Sequence, residues 1–231
     1  MPNAVAKIVD DIIRSRRSVR AFLPTPVPRV EIEAILDVAA RAPSGTNTQP
    51  WQVYVLTGAR KQALSDEIVR TFYDAEAMAE HHEEYDYYPE KWIDPFLARR
   101  RKIGLDLYGL LGLKRDNPEG MKAQQARNYK YFDAPVGLVF TMDRVMGRGS
   151  LLDYGMFMEN IMIAARAHGL DTCAQAAFNQ FHKIIARHLN LPPEQKVICS
   201  MALGYADPDK IENTLQTERV PVSEFAHFLA D

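Results

Sequence analysis

The sequence predicts a layered sandwich of helices and strands, built as one domain. Four short apolar segments have the length and residue content of buried strands, at about residues 52–57, 136–141, 171–176 and 196–205. Helix-patterned segments lie between them, which favours helices packed against a sheet. A chain of 231 residues can bury one sizeable core, and 47% apolar with 25% charged residues is ordinary for a globular domain.

Apolar residues at three- and four-residue spacing assign the helices. The spacing predicts a first helix from Val5 to Arg14 and a second that opens at Pro28, where the missing N–H costs nothing. One continuous helix is predicted from about Ala59 to Met78. The segment from Leu151 to His168 is apolar nearly all round, so we expect it to be buried on several sides and to lie at the centre of a subunit interface in any assembly.

Composition and absent motifs exclude several classes of protein. A net charge of −2 gives no basic field for nucleic acid. Cys173 and Cys199 fall in apolar strand-like runs, which favours buried free thiols in a reducing cytoplasm over a disulfide. Residues 1–11 carry early charges and no apolar core, so no signal peptide is expected. The sequence has no Gly-x-Gly-x-x-Gly, Gly-x-Ser-x-Gly or His-Glu-x-x-His, so a bound cofactor is expected to carry the chemistry.

Two polar segments contain the strongest functional signal. The loop from Ala42 to Trp51 joins a helix to a strand with two prolines, a glycine and a run of Ser, Thr, Asn and Gln. Upstream, residues 14–22 hold four arginines and two serines in nine positions. Planar guanidinium groups suit a phosphate because they bind its oxygens in pairs. A solvated basic turn and an ordinary connection are the alternatives for the two segments taken singly.

Together these segments resemble the FMN-dependent nitroreductase family. The shared features are Arg16-Arg17-Ser18-x-Arg20, then Pro43-Ser44-x-x-Asn47-x-Gln49-Pro50-Trp51, with Asp133-Ala134-Pro135, Leu203-Gly204-Tyr205 and Arg219 further along. The resemblance implies the α+β class: a three-layer α/β/α sandwich with a mixed, mainly antiparallel sheet, a helical insertion at about 79–126 and an extended C-terminal arm. It covers nearly the whole chain except roughly residues 70–125.

The resemblance also implies a set of flavin-binding residues. In the family, residues at the positions of Arg16, Arg17 and Ser18 hold the FMN phosphate, and the residue at Arg20 reaches the flavin pyrimidine. Arg219 is the expected second phosphate ligand. The remaining expected contacts are Pro43, Ser44 and Asn47 toward the flavin of the other subunit, Gln124 or Lys130 at the pyrimidine edge, and the loop Gln175, Ala176 and Ala177 near N5.

The insertion is rich in aromatic residues and leaves two interpretations open. Tyr88 and Trp92 lie in a dense aromatic group that is either a packing patch or a helical lid beside the cofactor and substrate. The segment from His81 to Glu84 lacks the spacing of a metal site and is expected to be a solvated acidic turn. Near the C-terminus, Ser223 is expected to cap a short helix over residues 224–229.

The resemblance implies a homodimeric enzyme that uses NADH or NADPH as electron donor. Electrons would pass through the bound flavin to a nitroaromatic or quinone-like small molecule by a ping-pong mechanism, without a catalytic side chain and without a metal. The alternatives are a flavin-dependent dehalogenase, a flavin-fragmenting relative, or a non-catalytic flavin-binding protein. No nucleic acid or membrane partner is expected.

Overall fold

A four-stranded sheet forms the centre of the computed structural model, which describes residues 3–230. The strand order is β1-β2-β4-β3 and every neighbouring pair is antiparallel. The sheet is therefore antiparallel, in agreement with the expected mainly antiparallel arrangement, and an isolated parallel bridge outside the named strands pairs Ser18 with Thr172 at the β3 edge. Each strand agrees with its predicted segment to within two residues: β1 Gln52–Thr57, β2 Val136–Asp143, β3 Asp171–Gln175 and β4 Gln195–Gly204.

Helices cover both faces of this sheet. The α-helices are α1 Ala4–Ser15, α2 Arg29–Ala39, α3 Gly58–Tyr73, α4 Ala75–Ala79, α5 Phe96–Leu110, α6 Pro118–Ala126, α7 Ser150–Ala167, α8 His182–Leu189 and α9 Val222–Phe225. Short 3₁₀ turns occupy Gly45–Asn47, Arg127–Asp133, Ala176–Phe181 and Ile211–Thr214. Within residues 3–230 no helix combines the length and apolar character needed to cross a membrane.

The two faces of the sheet form two separate cores. Leu138 and Phe140 of β2 point to the face covered by α2 and α7. Val139 points to the opposite face, beneath α3, α8 and the 3₁₀ turn after α6. Because successive side chains of a strand alternate between faces, β2 needs the apolar run from Val136 to Phe140 to fill both cores. The three-layer α/β/α sandwich is therefore confirmed, and Cys173 and Cys199 are buried free thiols, as predicted.

A tight approach at the middle of the sheet fixes the segment before β2. The Tyr131 ring lies directly on Gly137, where an added Cβ would be 2.6 Å from the Tyr131 Cζ. Tyr131, Phe132 and Asp133 all have left-handed backbone, with φ of 55°, 52° and 70°. Bulky residues seldom adopt this conformation, so surrounding packing must hold them there. The Phe22 N–H contributes by donating to the Phe132 carbonyl at 3.1 Å.

Two helix predictions were wrong. The predicted helix from Ala59 to Met78 is broken at Asp74, whose Oδ1 accepts hydrogen bonds from the N–H groups of Glu76 and Ala77 at 3.0 and 3.1 Å. An aspartate that can cap a new helix competes with helix continuation. The last helix is Val222–Phe225 and begins after Pro221 with no side-chain cap, so the proposed Ser223 cap is also wrong.

The insertion is attached to the core at its start and is exposed afterwards. The prediction of a solvated acidic turn is wrong at Glu84, whose side chain is only 9% exposed. Glu84 accepts a hydrogen bond from the Val197 N–H at 3.0 Å and pairs with Arg144. The Tyr85 hydroxyl donates to the Ile198 carbonyl at 2.6 Å. After these contacts of Glu84 and Tyr85, none of residues 86–125 is buried. Residues 3–230 contain no cluster of metal-ligating side chains, there or elsewhere.

Candidate functional site

An arginine-rich cavity of about 680 Å³ lies between the end of α1, α7 and the C-terminal segment. Arg16 and Arg17 come from the turn after α1, Arg166 from the last turn of α7, and Arg219 from the extended C-terminal segment. The other lining residues are Ile13, Arg14, Ser15, Glu159, Leu215, Gln216 and Thr217. The sequence-predicted phosphate ligands Arg16, Arg17 and Arg219 are thus brought together.

The guanidinium groups of this cavity are held in place by short contacts. Arg16 Nε lies 3.7 Å from Glu159 Oε1. Arg166 Nη1 donates to Asp171 at 2.9 Å. Arg219 Nη1 donates to the Thr217 hydroxyl at 2.7 Å, which folds its side chain back on its own segment. Among residues 3–230, Glu159 is the only carboxylate that lines the cavity, so the electrostatics of the cavity favour an anionic ligand.

Ser18 and Arg20 lie beside the cavity, along the edge of β3. The Val19 N–H donates to the Thr172 carbonyl at 3.0 Å, which attaches this segment to the sheet. The Arg20 N–H donates to Asn213 Oδ1 at 2.9 Å, and its Nη1 donates to the Ser18 carbonyl at 3.1 Å. Burial raises the pKa of the Cys173 thiol to about 11, against a smaller lowering by the nearby Arg20 charge. Arg20 is therefore fixed close to β3.

A second charged group was missed by the sequence analysis. Arg127 Nη1 lies 2.5 Å from Glu212 Oε1 and 3.5 Å from Gln124 Oε1, so the predicted Gln124 is in contact with an ion pair. Glu212 is 4% exposed. Arg127 and Glu212 are 85 positions apart and no local pattern joins them. Lys130, the alternative to Gln124, is exposed.

The loop after β3 contains a buried acceptor without a partner. Gln175 Nε2 donates to the Asn128 carbonyl at 2.6 Å, whereas Gln175 Oε1 is buried and makes no hydrogen bond within residues 3–230. Ala176 and Ala177 follow in a 3₁₀ turn and are partly buried. Small side chains allow a planar ligand to approach the backbone here, and an unsatisfied buried acceptor favours a ligand or water that donates to it.

The loop with Pro43, Ser44 and Asn47 contacts α7 at a different point from the arginine cavity. Its Gly45 N–H contacts Asp153 Oδ1 at 3.3 Å. Asp153 precedes Glu159 by six residues, or roughly 9 Å along a helix. None of the three predicted loop residues lines the arginine cavity, so one chain does not bring the two halves of the predicted site together there.

Tyr88, which is exposed, and Trp92, which is half-buried, form an aromatic pair on the insertion. Their ring centroids are 5.4 Å apart, and the guanidinium carbon of Arg100 lies 4.8 Å from the Trp92 centroid and 5.5 Å from that of Tyr88. Trp51, in contrast, stacks on Phe157 at 4.7 Å in the core, which is the structural role expected for a large aromatic residue entering a strand.

The fold and the cavity define a class of three-layer sandwich proteins with an arginine-lined cavity that favours an anionic ligand. Residues 13–205 match the nitroreductase family, and the chain belongs to that family, as the sequence motifs predicted. It is 40% identical to a 4-nitrobenzoate reductase of Nocardioides sp. (strain LMS-CY), with 96% of this chain and 90% of that protein covered. It is 39% identical to a chloronitrobenzene nitroreductase of Comamonas testosteroni, with 96% of each covered.

A solved structure has the same fold over almost the whole chain. The FMN and NADPH-dependent nitroreductase NfnB from sphigopyxis sp. strain HMH superposes with a TM-score of 0.91 at 36% identity, covering 96% of this chain and 99% of that one. The FMN-dependent NfnB from Mycobacterium smegmatis, in complex with NADPH, gives the same TM-score at 27% identity. The similarity extends through the insertion that the sequence motifs did not cover.

Proposed function

We propose that this protein is an FMN-dependent oxidoreductase that passes electrons from NADH or NADPH to nitroaromatic or quinone-like acceptors. The observation that carries the proposal is the arginine cavity, where Arg16, Arg17 and Arg219 converge in a member of the nitroreductase family. The 4-nitrobenzoate and chloronitrobenzene reductases among its relatives support nitroaromatic acceptors. When bound, FMN would supply the hydride and electron chemistry that no side chain of this site can provide.

The residues around the cavity fit such a cofactor. Arg16, Arg17 and Arg219 would bind the phosphate through charge-assisted hydrogen bonds, with Ser18 at its edge. The Arg20 and Arg127 charges would stabilise negative charge on the pyrimidine side, next to Gln124. The Gln175 to Ala177 turn would lie against the ring system, where Gln175 Oε1 has no hydrogen-bond donor from residues 3–230. These roles are binding, orientation and electrostatic stabilisation.

We further infer a homodimer that shares each site between two chains. Several apolar residues of α1 and α7 are exposed, among them Ile8 at 60% and Leu152 at 75%. A partner that covers these residues would explain the apolar helix faces. It would also supply Pro43, Ser44 and Asn47 to the site, because the loop that carries them does not line the arginine cavity of its own chain.

The insertion fits the role of a variable helical lid that contacts the substrate. We infer that residues 1–231 form one domain and that residues 79–126 form this lid, with Tyr88 and Trp92 offering ring faces to the acceptor. The absence of any buried residue between 86 and 125 supports a segment that is completed by a ligand or a partner. The buried free thiols Cys173 and Cys199 support a cytoplasmic location, because that compartment keeps thiols reduced.

Complementation between two inactive variants tests the shared site. Arg16→Ala removes a phosphate ligand, and Asn47→Ala removes a contact that we assign to the partner's flavin. In a heterodimer of the two variants, one of the two sites has both residues intact, so flavin binding and activity should return on mixing. Mixing Arg16→Ala with Arg219→Ala, which both belong to one half-site in this assignment, is the matched control. Full activity from a stable monomer would refute the shared-site proposal.

Steady-state kinetics test the reaction type. A nicotinamide ring must stack within about 3–3.5 Å of the flavin for hydride transfer, and the acceptor needs the same ring face. Both therefore cannot bind productively together, and double-reciprocal plots should give parallel lines. Intersecting lines would require both ligands bound at once. NADH or NADPH oxidation should be fast with a nitroaromatic acceptor and negligible without one, and the flavin should stay intact. No oxidation even with an acceptor would indicate the storage alternative, and flavin breakdown would indicate the flavin-fragmenting one.

A further inference from the structure

A second arginine cluster lies on the insertion, outside the proposed flavin site. A cavity of about 340 Å³ is lined by Arg100, Arg101, Gly104, Leu105 and Arg115, and no acidic residue of the described part of the chain lines it. We call it the lid cavity. Three guanidinium groups that line one small cavity repel each other, because they carry like charges. An anion bound between them would offset this repulsion. The cluster is exposed, so the repulsion is screened, and each group is available to a ligand.

The chain path brings these arginines together from two elements. Arg100 and Arg101 are in the second turn of α5, and Arg115 follows the end of that helix. Gly112 adopts φ 66° and the Leu113 N–H donates to the Tyr108 carbonyl at 2.9 Å, which reverses the chain. This reversal carries Arg115 back alongside the helix to the lid cavity.

Nearby acidic residues do not neutralise the cluster. Lys102, on a different side of α5, pairs with Asp106 at 2.7 Å and with Glu218 at 3.4 Å. No ion pair with a carboxylate involves Arg100, Arg101 or Arg115 within residues 3–230. The lid cavity therefore combines concentrated positive charge with free donor capacity.

Arg100 also connects this charge to the aromatic pair. Its guanidinium lies over the rings of Trp92 and Tyr88, at 4.8 and 5.5 Å from their centroids. Stacking uses the face of the guanidinium and leaves the N–H groups at its edge for an anion. A ligand with an aromatic ring and an anionic substituent could then contact the aromatic pair and the arginines at once.

We propose that the lid cavity binds the anionic oxygen group of a substrate: the carboxylate of an aromatic acceptor or the 2′-phosphate of NADPH. This rests on the proposed function, because it assigns an ionic substrate to the same reaction. Arg100 and Arg101 bind the anion and Arg115 completes the site. The acceptor preferred by this protein then carries a negative charge, or the preferred donor is NADPH.

The test uses the flavin-loaded enzyme and the double variant Arg100→Met/Arg101→Met, which keeps the apolar stems and removes the charge. The acceptor arm compares kcat/KM for 4-nitrobenzoate with that for uncharged 4-nitrobenzamide. The donor arm compares NADPH with NADH, using 4-nitrobenzamide as acceptor. Lys122→Met is the matched control, because Lys122 also lies over two rings, 5.5 Å from Phe72 and 5.1 Å from Tyr73, but does not line the lid cavity.

For a carboxylate site, we expect the 4-nitrobenzoate value to fall about tenfold and the amide value to stay within about twofold, as for loss of one or two exposed charged contacts. For a phosphate site, the NADPH value falls and the NADH value does not. Lys122→Met should change neither ratio. Either selective fall supports the lid cavity and identifies the source of the anion.

Calorimetry with non-reducible probes separates this inference from the proposed activity. Benzoate and inorganic phosphate are titrated into the wild-type enzyme and the double variant, and the favoured probe should bind about tenfold more weakly to the variant. Unchanged ratios in both kinetic arms, with equal probe affinities, would overturn the lid-cavity proposal while leaving nitro reduction intact. A wild-type enzyme that reduces no nitroaromatic would instead overturn the proposed function, and the probe affinities would then decide the lid cavity alone.

Discussion

Replacing Gly137 by alanine should destabilise the protein through a contact in the middle of the sheet. The new Cβ would lie 2.6–2.8 Å from three atoms of the Tyr131 ring. Ordinary carbon contacts are about 3.5–4.0 Å, so ring and strand must separate by roughly 1 Å. The ring has little room to move, because Tyr131 is fully buried, has φ 55° and lies 4.6 Å from the Phe178 ring.

Overpacking of this kind costs about 1–3 kcal/mol, and three close ring atoms place it near the upper end. Removing a glycine from a strand returns about 0.5–1 kcal/mol. The net loss in free energy of unfolding is therefore about 2 kcal/mol, or a fall in Tm of about 4–8 °C for a domain of this size. Gly109→Ala in α5 is the control: no neighbouring atom lies within 4 Å of the position that its new methyl group would take, so it should be neutral or slightly stabilising.

Thermal unfolding at fixed protein and FMN concentration measures this difference. In a Tyr131→Ala background the Gly137→Ala substitution should cost almost nothing, which gives a coupling energy of about 2 kcal/mol between the two positions. A Gly137→Ala protein with a Tm at or above the wild-type value would show that the ring yields easily. It would refute the conclusion that packing fixes the left-handed segment.

Three further outcomes are expected. Arg219→Ala should purify with little flavin and bind added FMN at least about tenfold more weakly, because it loses a charged hydrogen bond to phosphate. Unchanged flavin content in both Arg219→Ala and Arg16→Ala would contradict the assignment of these residues to the phosphate. Trp92→Leu should retain its flavin but change the order of acceptor preference; loss of flavin would place Trp92 in the cofactor bed. Burial lowers the pKa of His182, with a smaller opposing effect of Glu84, so the unfolded chain binds the proton more readily. The stability that depends on neutral His182 is present above a pH of about 6.5 and is lost on acidification. The Tm of His182→Gln should therefore fall less between pH 7 and pH 5 than that of the wild type. An equal fall would exclude His182 as a source of the acid sensitivity.

The sequence predicted those parts of the fold that depend on local periodicity. Strand β2 could be located because it is buried on both faces and reads as an unbroken apolar run. The break at Asp74 was missed because the apolar spacing continues through it, while the capping bonds depend on backbone geometry. Trp51, which the sequence placed only at the end of the polar loop, packs against the core by stacking on Phe157.

The candidate site was predictable where its residues are close in sequence and was missed where partners are distant. Arg16 and Arg17 occur together in one motif, and the structure places them in one cavity with Arg219. The Arg127 and Glu212 ion pair has no sequence signal, because only the folded chain brings these two side chains together. This ion pair links the start of the 3₁₀ turn, at Arg127, to the C-terminal segment, at Glu212.

The way the insertion is attached has a consequence for protein engineering. It is joined to the body by Glu84 and Tyr85 at its start and by Ala126 at its end, with surface contacts from Lys102 to Glu218 and from Lys122 to Phe72 and Tyr73. No residue between 86 and 125 is itself buried in either core. A graft of this stretch between related chains, cut after Tyr85 and before Ala126, would leave both cores and the arginine cavity intact. Exchange of this stretch between related enzymes could then change which electron acceptors are reduced, while the stability of the recipient protein stays largely unchanged.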